Sequence, residues 1–578
     1  MAEIRVVAVI DFGTHGCGFA WTFLSPLHDD PCQRQIFTCD EWPGQPSPYP
    51  KTLTALIIDR RGDVLSWGWE AHRMWRTHGL ELYHTGHRYK KHFKLSLARF
   101  GDERPPRRGV SLSDCEDSPE RLVVAFLKRI HQRALTEISG SGYRADEIRW
   151  CLTVPAIWDD YQKQLMREAA YEAGMPTEDG RLILALEPEA AAYHARVSGV
   201  SVNGAEEGRD LTQPGTRFMV VDCGGGTIDI TAYRNDESGL MVEIGRAYGD
   251  KSGSAYLNKV FEETVLTKRL GGVEEMQRLA NQCPAALEDL LDAWERVKVH
   301  ATVDLAHPLY LPIGKALDRC LSESARYALP DLQGGDDEYI VVSPDEVRDI
   351  FEEVVPGILD MVDRQLDEMR EAAGPAQSPE VVLLVGGFAA SPYLQQRVRG
   401  HLLGRAEVRV VPRSAIAVLA GAVHFAYDPQ TRARRSRYTY GIDVVTSFEE
   451  GADLPAKRRV NSRGEVNCVD RFAVFVRSGE TVRTGHEAVQ GCIPVEGDQT
   501  EVDVDFYATR EPEPRYVDEV GCYRIGRLTV NLAKVMHLDL TQRGIRVAMQ
   551  FGETEIKARV TLGGSDLQLD TVLDFVAP

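Results

Sequence analysis

The sequence predicts a mixed α/β protein with two related lobes, followed by a smaller β-rich domain. Two apolar strands far apart in the chain each run into an aspartate, a glycine and a threonine. Apolar strands alternate with long amphipathic helices up to about Tyr427, which is typical of α/β domains. Short alternating runs follow over residues 438–578 and predict strands without a long helix.

The two strand ends share a chemistry that suits a metal-bound phosphate. The first stretch, Val6–Thr14, contains Asp11-Phe12-Gly13-Thr14, and the second, Phe218–Asp229, contains Asp222-Cys223-Gly224-Gly225-Gly226-Thr227. A buried strand that ends in Asp and turns on Gly presents a carboxylate beside exposed backbone amides. The carboxylate can hold the water shell of Mg²⁺ while the amides cradle phosphate oxygens. The repetition indicates two lobes that close on one nucleotide.

A third glycine turn completes the predicted site. The apolar strand Val381–Val385 runs into Gly386-Gly387-Phe388, and Ser391-Pro392 then provides an N-cap and a first-turn proline for a helix. Because this turn has little side chain, a flat base or a ribose can approach the backbone closely.

Length, charge and composition exclude several classes of protein. The 578 residues are too many for one hydrophobic core and predict roughly two to four domains. The formal net charge of -20 argues against a general nucleic-acid or anionic-membrane binder. No apolar run reaches the roughly 18–20 residues of a membrane span, and Glu3 and Arg5 precede too few apolar residues for a signal peptide. The expected location is therefore cytoplasmic.

Neither the cysteines nor a histidine-rich stretch is expected to bind metal. The eleven cysteines are scattered without a C-x-x-C pair, so they are expected to be reduced thiols. His84, His87 and His92 lie in a basic stretch without nearby cysteine or acidic partners. That context favours a solvated helix face over a metal site.

Periodicity locates the longer helices, a loop and the C-terminal strands. Amphipathic spacing predicts the helices Glu120–Glu137, Asp159–Ala173 and Ser343–Ala372. Residues 102–117 are expected to form a mobile surface loop. The basic segment 429–437 is expected to be a solvated linker, with docking of an acidic partner as the alternative. Strands are predicted at Arg471–Arg477, Glu501–Tyr507, Arg527–Asn531 and Ile545–Gln550.

These motifs together resemble the actin-like ATPases, and within them the 70-kDa heat-shock protein family. The two Asp-Gly turns are similar to that family's phosphate loops, and Val385-Gly386-Gly387 is similar to its adenosine loop. Thr153–Ala156 and Glu187–Ala192 resemble its two interlobe connecting segments. Further segments resemble the heat shock 70 kDa protein 12-type branch in particular: Arg149–Trp158, Leu186–Ala190, Tyr438–Gly441 and Met549–Ala558.

The resemblance implies a fold and a role for each site residue. The implied fold has two duplicated, ribonuclease H-like lobes over residues 1–428 and a substrate- or partner-binding domain over 438–578. Asp11 and Asp222 would orient Mg²⁺ through its waters, and Glu187 would sit behind the attacking water. Lys94 would face the phosphates, with Lys91 as the alternative. The remaining nucleotide-binding residues would be Gly13, Thr14, His15, Gly224, Gly225, Gly226, Thr227, Asp229, Glu295, Lys298, Gly386, Gly387 and Phe388.

Several features depart from conventional members of that family. His15 stands where a second threonine is frequent, and Val299 follows Lys298 where conventional members have an arginine that stacks on adenine. The acidic-leucine interdomain linker is replaced by the basic Arg434–Arg437, and no helical lid is predicted after the β-rich region. These departures affect the expected capture of unfolded peptides more than the expected binding of nucleotide.

The expected function is slow hydrolysis of Mg-ATP by an atypical protein of this family that acts as a chaperone or a regulatory switch. One alternative is a scaffold that binds ATP, hardly hydrolyses it and recruits a protein partner through the C-terminal domain. Another is a small-molecule kinase of the same fold, for which the sequence offers no distinct catalytic acid. The expected ligands are ATP or ADP with Mg²⁺. A protein or peptide partner is expected, whereas nucleic acid and membrane are not.

Overall fold

The computed structural model describes residues 3–25, 29–97, 118–198, 210–373, 380–429, 431–551, 554–563 and 568–572. The loop predicted at 102–117 lies outside these residues, as do Gly552 and Glu553 of one family motif. The described chain is a mixed α/β protein, as predicted. None of its described helices combines the length and the apolar character needed to cross a membrane.

The first part of the chain, here called the N-terminal unit, packs helices against a mixed sheet. Its strands are β1 (Val6–Phe12), β2 (Gly16–Phe23), β3 (Phe37–Thr38), β4 (Thr52–Leu53), β5 (Ala55–Ile58), β6 (Val64–Trp67), β7 (Arg88–Lys91), β8 (Ile148–Val154) and β9 (Leu182–Leu186). Its helices are α1 (Gly68–His84), α2 (Pro119–Gly140), α3 (Asp160–Glu172) and α4 (Glu187–Val197). The main sheet has the order β3-β2-β1-β8-β9, and β6-β5-β7 form a smaller one.

The central unit has a second sheet and most of the helices. Its strands are β10 (Arg217–Cys223), β11 (Ile228–Asn235), β12 (Met241–Asp250), β13 (Leu309–Pro312), β14 (Tyr339–Val342), β15 (Glu380–Val385) and β16 (Ala406–Val410). Its helices are α5 (Ser254–Phe261), α6 (Thr267–Arg269), α7 (Val273–Gln282), α8 (Pro284–Lys298), α9 (Lys315–Cys320), α10 (Glu323–Leu332), α11 (Pro344–Glu352), α12 (Val355–Ala373), α13 (Pro392–His401) and α14 (Ala417–Tyr427). The main sheet runs β16-β15-β10-β11-β12.

The two main sheets share one pairing pattern. Strand β1 is antiparallel to β2 and parallel to β8, and β10 is antiparallel to β11 and parallel to β15. Asp11 is the penultimate residue of β1, and Asp222 is the penultimate residue of β10. The two aspartates therefore occupy equivalent positions in equivalent strands.

Helices α4 and α14 join the two units through a shared apolar core. Val9 of β1, Val220 of β10 and Leu419 of α14 belong to one buried cluster between the sheets. The helices cross closely at Gly421, where a Cβ atom would overlap the backbone carbonyl of Ala190. Glycine at this position lets α14 lie against α4 without an intervening side chain.

The C-terminal unit consists of strands packed in two layers. Its strands are β17 (Thr431–Arg435), β18 (Thr439–Ser447), β19 (Arg458–Val460), β20 (Val466–Val476), β21 (Thr481–Arg483), β22 (His486–Cys492), β23 (Glu501–Thr509), β24 (Tyr523–Asn531), β25 (Ile545–Phe551), β26 (Lys557–Leu562) and β27 (Gln568–Val572). One layer has the order β19-β20-β18-β23-β24, and the other has β22-β25-β26-β27, whereas β17 and β21 extend the main sheet of the central unit. Phe506 and Val547 lie in the core between them. The strands predicted from the sequence here are confirmed as β20, β23, β24 and β25.

The structure corrects the expected conformation of two segments. The helix predicted at Ser343–Ala372 is two helices, α11 and α12, because Pro356 lacks the N–H that a continuous helix would need. The basic segment 429–437 is not a solvated linker, since its residues 431–435 form β17. That strand is parallel to β12 of the central sheet and antiparallel to β21.

The cysteines differ from the expectation that all are reduced. Cys283 and Cys320 form a disulfide that connects the start of α8 to the end of α9. The partners are 37 residues apart and belong to no spacing motif, so this pair could not be predicted from the sequence. The other cysteines of the described residues are free thiols.

Candidate functional site

The three glycine turns line one cavity between the N-terminal and central units. Its volume is about 630 Å³, and the turns follow the carboxyl ends of β1, β10 and β15. The sequence-predicted residues that line it are Asp11, Gly13, Thr14, His15, Lys94, Glu187, Asp222, Gly224, Gly225, Gly226, Thr227, Glu295, Lys298, Gly386, Gly387 and Phe388. Asp229 lies behind the wall, and Lys91 lies outside the cavity in an ion pair with Glu288.

Asp11 is fixed by two neighbours that the sequence analysis did not select. Its Oδ1 accepts a hydrogen bond from Thr153 Oγ1 at 2.8 Å, and its Oδ2 contacts Lys51 Nζ at 2.7 Å. Burial opposes ionisation of Lys51, but Asp11 overcomes this and raises the pKa of the lysine. Thr153 could have been found from the segment Thr153–Ala156. Lys51, in contrast, lies in no recognisable motif.

Asp222 lies directly against the third glycine turn. Gly386 has a φ of 88°, and a Cβ there would overlap the Cys223 carbonyl and the Asp222 carboxylate. Burial, together with Glu187 and Asp229, raises the pKa of Asp222 well above its ordinary range. Glycine is therefore required for β10 and the β15 turn to approach each other around this carboxylate.

Lys94 and Glu187 form a buried ion pair on the cavity wall. Lys94 lies in the 3₁₀ helix Phe93–Ser96, and its Nζ contacts Glu187 Oε1 at 2.5 Å. Glu187 is the first residue of α4. Burial raises the pKa of Glu187 above its ordinary value of 4.5, although Lys94 opposes the shift. A carboxylate of this kind can accept a proton near neutral pH.

Asp229 connects the central sheet to the N-terminal unit. Its Oδ1 accepts a hydrogen bond from the backbone N–H of Ile157 at 2.9 Å. Asp229 is 1% exposed, and burial raises the pKa of its carboxyl group. The residue thus supports the wall of the cavity from behind instead of lining it.

The second glycine turn directs backbone amides away from helix α5. The carbonyl oxygens of Gly224, Gly225 and Gly226 accept hydrogen bonds from the N–H groups of Ser254, Ala255 and Gly253, respectively. Because a trans peptide points its C=O and the next N–H in opposite directions, the amides of residues 225–227 point away from these partners. These residues line the cavity, so the turn can offer donors to an anion.

The opposite end of the cavity is built by helix α8. Lys298 Nζ donates to Glu295 Oε1 at 2.9 Å, to Asn258 Oδ1 at 2.7 Å and to the Ser254 carbonyl at 3.1 Å. Burial opposes ionisation of Glu295, but Lys298 outweighs it and lowers the pKa of Glu295 to about 2. Glu295 is therefore ionised, whereas burial lowers the pKa of Lys298 against the opposing effect of Glu295. The pair lies where the resemblance implies the adenosine.

His92 differs from its expected place on a solvated helix face. It follows β7 in a left-handed conformation with a φ of 59°, and its ring stacks on His15 with 5.6 Å between centroids. Burial lowers the pKa of His92 to about 3, so the imidazole is neutral. His84, by contrast, is the exposed last residue of α1.

The carboxylates around the cavity fit a divalent cation. Asp11, Asp222 and Glu187 are each less than 10% exposed and lie on one cavity wall. Their mutual repulsion contributes to the raised pKa values of Asp222 and Glu187, and a bound cation would relieve it. Oxygen ligands of this type suit Mg²⁺.

The chain is similar in sequence to the 70-kDa heat-shock proteins, and in particular to their 12-type branch. Residues 212–412 match the family described as a domain of unknown function (DUF8340). The chain is 29% identical to heat shock 70 kDa protein 12B of Homo sapiens, over 100% of this chain and 92% of that protein. It is 27% identical to heat shock 70 kDa protein 12A of Homo sapiens, over 99% of this chain and 91% of that protein.

More distant similarity extends to bacterial proteins. Chaperone protein DnaK of Thermotoga maritima is 23% identical over 72% of this chain and 60% of its own length. The resemblance to the 70-kDa heat-shock family, and to its 12-type branch, is therefore confirmed.

Proposed function

We propose that the protein binds Mg-ATP between its N-terminal and central units and hydrolyses it slowly, acting in the cytoplasm as a chaperone-like or regulatory switch. In this proposal the two units are the duplicated lobes of an actin-like ATPase. The observation that carries it is the equivalence of Asp11 and Asp222. Each is the penultimate residue of a strand with the same pairing pattern, and both line one cavity. The similarity to the 70-kDa heat-shock proteins supports it.

The residues on the cavity wall suit phosphate hydrolysis. Asp11 and Asp222 would hold Mg²⁺ through water, and the ion would supply charge neutralisation for the phosphates. Glu187, whose pKa is raised by burial, would orient a water molecule and accept its proton. Lys94 would balance the charge of Glu187 and of a phosphate oxygen. Phosphoryl transfer to water needs little beyond this positioning and charge.

The base and ribose would lie between α8 and the third glycine turn. Glu295 and Lys298 form the polar side of this part of the cavity, and Gly387 and Phe388 form the other side. Val299 also lines the cavity and is 46% exposed, so an apolar side chain is available to contact the base.

Contacts between α4 and the C-terminal unit support a switch. Glu189, two residues after Glu187, accepts hydrogen bonds from Arg434 and Thr431 of β17. Arg437 donates to the carbonyls of Ala156 and Trp158, which flank the Ile157 amide bound by Asp229. A change at the cavity wall can therefore reach the C-terminal unit through two short routes.

A partner would bind in the C-terminal unit. A cavity of about 1400 Å³ lies between its two layers, and Val444, Val489 and Ile493 contribute apolar surface to it. An extended peptide could add its backbone to strands at this cavity, while pockets for its side chains would provide specificity. We expect one preferred protein or peptide partner and only weak holding of generic unfolded chains.

One observation favours a scaffold that binds ATP without efficient turnover. The Lys51 ammonium contacts the same Asp11 carboxylate that would hold the Mg²⁺ waters. A lysine at this position reduces the electrostatic gain from binding the cation. In the scaffold alternative, nucleotide binding would change the affinity for the partner and hydrolysis would have no role.

Hydrolysis and binding should be measured on the same preparations to separate these functions. Phosphate release from Mg-ATP would be compared for the wild type, Glu187→Gln and the control Glu178→Gln, which changes an exposed acid outside the cavity. We expect Glu187→Gln to lose most turnover and keep its nucleotide affinity in calorimetry. Equal turnover in the wild type and Glu187→Gln would remove Glu187 from the mechanism. Binding without turnover in the wild type would favour the scaffold.

A further inference from the structure

Three potential metal ligands converge between helices α1 and α8, beside the nucleotide cavity. One ligand atom from each of His72, Glu288 and Asp292 lies within 4.8 Å of the other two. His72 Nε2 and Asp292 Oδ2 are 2.8 Å apart. A second cavity of about 440 Å³ is lined by all three residues and gives access to them.

The local structure fixes the direction of each ligand. Glu288 and Asp292 are four residues apart on α8, so both project from one face of the helix. His72 is 5% exposed, and its Nδ1 lies 3.1 Å from the hydroxyl of Tyr89. In the tautomer in which Nδ1–H donates to Tyr89, the Nε2 lone pair faces the carboxylates. A second hydrogen bond of this kind orients histidine ligands in metal sites.

We propose that His72, Glu288 and Asp292 bind one divalent transition-metal ion of the Zn²⁺ class and that this ion bridges α1 to α8. An imidazole nitrogen with two carboxylate oxygens suits Zn²⁺ or Co²⁺, whereas Mg²⁺ and Ca²⁺ prefer all-oxygen sites. Three protein ligands leave a fourth position for water. The site is distinct from the carboxylates of Asp11 and Asp222.

Binding requires only small shifts of the ligand atoms, whose separations include one of 2.8 Å and do not exceed 4.8 Å. Zn²⁺ bonds of about 2.0–2.2 Å to nitrogen and oxygen place tetrahedral ligands roughly 3.3 Å from one another. Lys91 Nζ contacts Glu288 Oε1 at 2.6 Å, and Arg76 lies 3.6 Å from Asp292. These two cations already balance the carboxylates, so the metal ion competes with them and gains affinity mainly from the imidazole.

Because of its location, the proposed ion would restrain the N-terminal and central units relative to each other. Helix α8 also carries Glu295 and Lys298 of the nucleotide cavity, and α1 belongs to the opposite unit. A metal bond between the helices therefore resists opening of the cleft. If the proposed function holds, Zn²⁺ slows the release of bound nucleotide; this consequence rests on that function, whereas the metal site does not.

The test titrates Zn²⁺ alone into the full-length, nucleotide-free protein and follows binding by calorimetry. We expect one ion per chain and a loss of affinity of at least about tenfold in His72→Ala. His78→Ala is the matched control, because it removes an exposed imidazole from the same helix and should leave binding unchanged. Asp292 is only half-buried, so Asp292→Asn provides a second variant if His72→Ala does not fold. Co²⁺ should give a visible absorption band that these two ligand variants lose.

Equal Zn²⁺ affinity in the wild type and the ligand variants would overturn the site, as would an equal loss in His78→Ala. A second arm measures nucleotide release with and without Zn²⁺, and slowing in the wild type but not in His72→Ala is expected. Zn²⁺ binding at His72 in a protein that binds no nucleotide would support the metal site and contradict the proposed function. Nucleotide release unaffected by bound Zn²⁺ would overturn the bridging consequence.

Discussion

Arg434 of strand β17 and Glu189 of helix α4 form a buried ion pair, with 2.6 Å between Arg434 Nη2 and Glu189 Oε2. The side chains are 12% and 1% exposed. Arg434 Nη1 also donates to Thr554 of the C-terminal unit at 3.0 Å. A basic segment that the sequence suggests is solvated thus connects the helix of Glu187 to the C-terminal strands.

Arg434→Met should destabilise the protein by about 3 kcal/mol, because it leaves the Glu189 carboxylate buried without its cationic partner, with only the Thr431 hydrogen bond remaining. Urea unfolding monitored by fluorescence would measure the change in midpoint. Arg432→Met is the matched control on the same strand. Its exposed ion pair with Asp236 should contribute less than about 1 kcal/mol. Equal effects of the two substitutions would show that the buried pair has no special role.

Lys51→Met should make the protein more dependent on Mg²⁺. The variant leaves the buried Asp11 without its ammonium partner, so the nucleotide-free form should lose stability. The stability gained on adding Mg-ATP should therefore be larger than in the wild type. Thermal unfolding with and without Mg-ATP measures both changes. Lys51→Arg, which retains the charge, should resemble the wild type. A smaller Mg-ATP shift in Lys51→Met would mean that Lys51 itself binds phosphate.

The buried acids predict a pH dependence with a defined sign. Burial and neighbouring charges raise the pKa values of Glu187 and Asp222. At pH values below the ordinary pKa of these carboxyl groups, the stability that goes with the raised pKa values is fully present. It is lost as the pH rises through the raised values, because the buried acids must then ionise. The nucleotide-free protein should therefore lose stability between about pH 5 and pH 8 relative to its Mg-ATP form. Asp222→Asn should flatten the difference; an unchanged slope would contradict the assignment.

Gly226→Ala should weaken nucleotide binding, because the added methyl group would keep the first and second glycine turns apart. A Cβ there would overlap Thr14 Oγ1 and Leu95 Cδ2 of the N-terminal unit. Overpacking of this kind costs about 1–3 kcal/mol. Gly314→Ala is the control, because its Cβ would enter open space. Affinity for Mg-ATP measured by calorimetry should fall only in Gly226→Ala, and a similar fall in Gly314→Ala would point to a nonspecific effect.

Local sequence patterns predicted the elements that approach the cavity. The apolar strands that lead to Asp11 and Asp222, and the turn at Gly386, can be recognised from adjacent residues. In the structure they lie at one cavity. The cap Ser391-Pro392 likewise predicted the start of α13, where Ser391 accepts a hydrogen bond from Leu394 N–H. Each depends on a few adjacent residues and on simple backbone rules.

Features that depend on distant contacts could not be predicted in this way. Lys51 contacts Asp11 only because β4 pairs with β2, and the sequence around it has no motif. His72 meets Asp292 across 220 positions of chain. The strand β17 forms because β12 and β21 accept it as a neighbour, although its arginines resemble a solvated segment. In each of these cases the structure depends on a contact between segments that are distant in the sequence.

Calorimetric titration of Mg-ATP into the wild type, Asp11→Asn and Asp222→Asn tests the central claim most directly. We predict one Mg-ATP per wild-type chain and a loss of at least about tenfold, or about 1.4 kcal/mol, in each variant. The two losses should be similar because the aspartates occupy equivalent strand positions. Absence of binding by the wild type, or full affinity in both variants, would contradict the account.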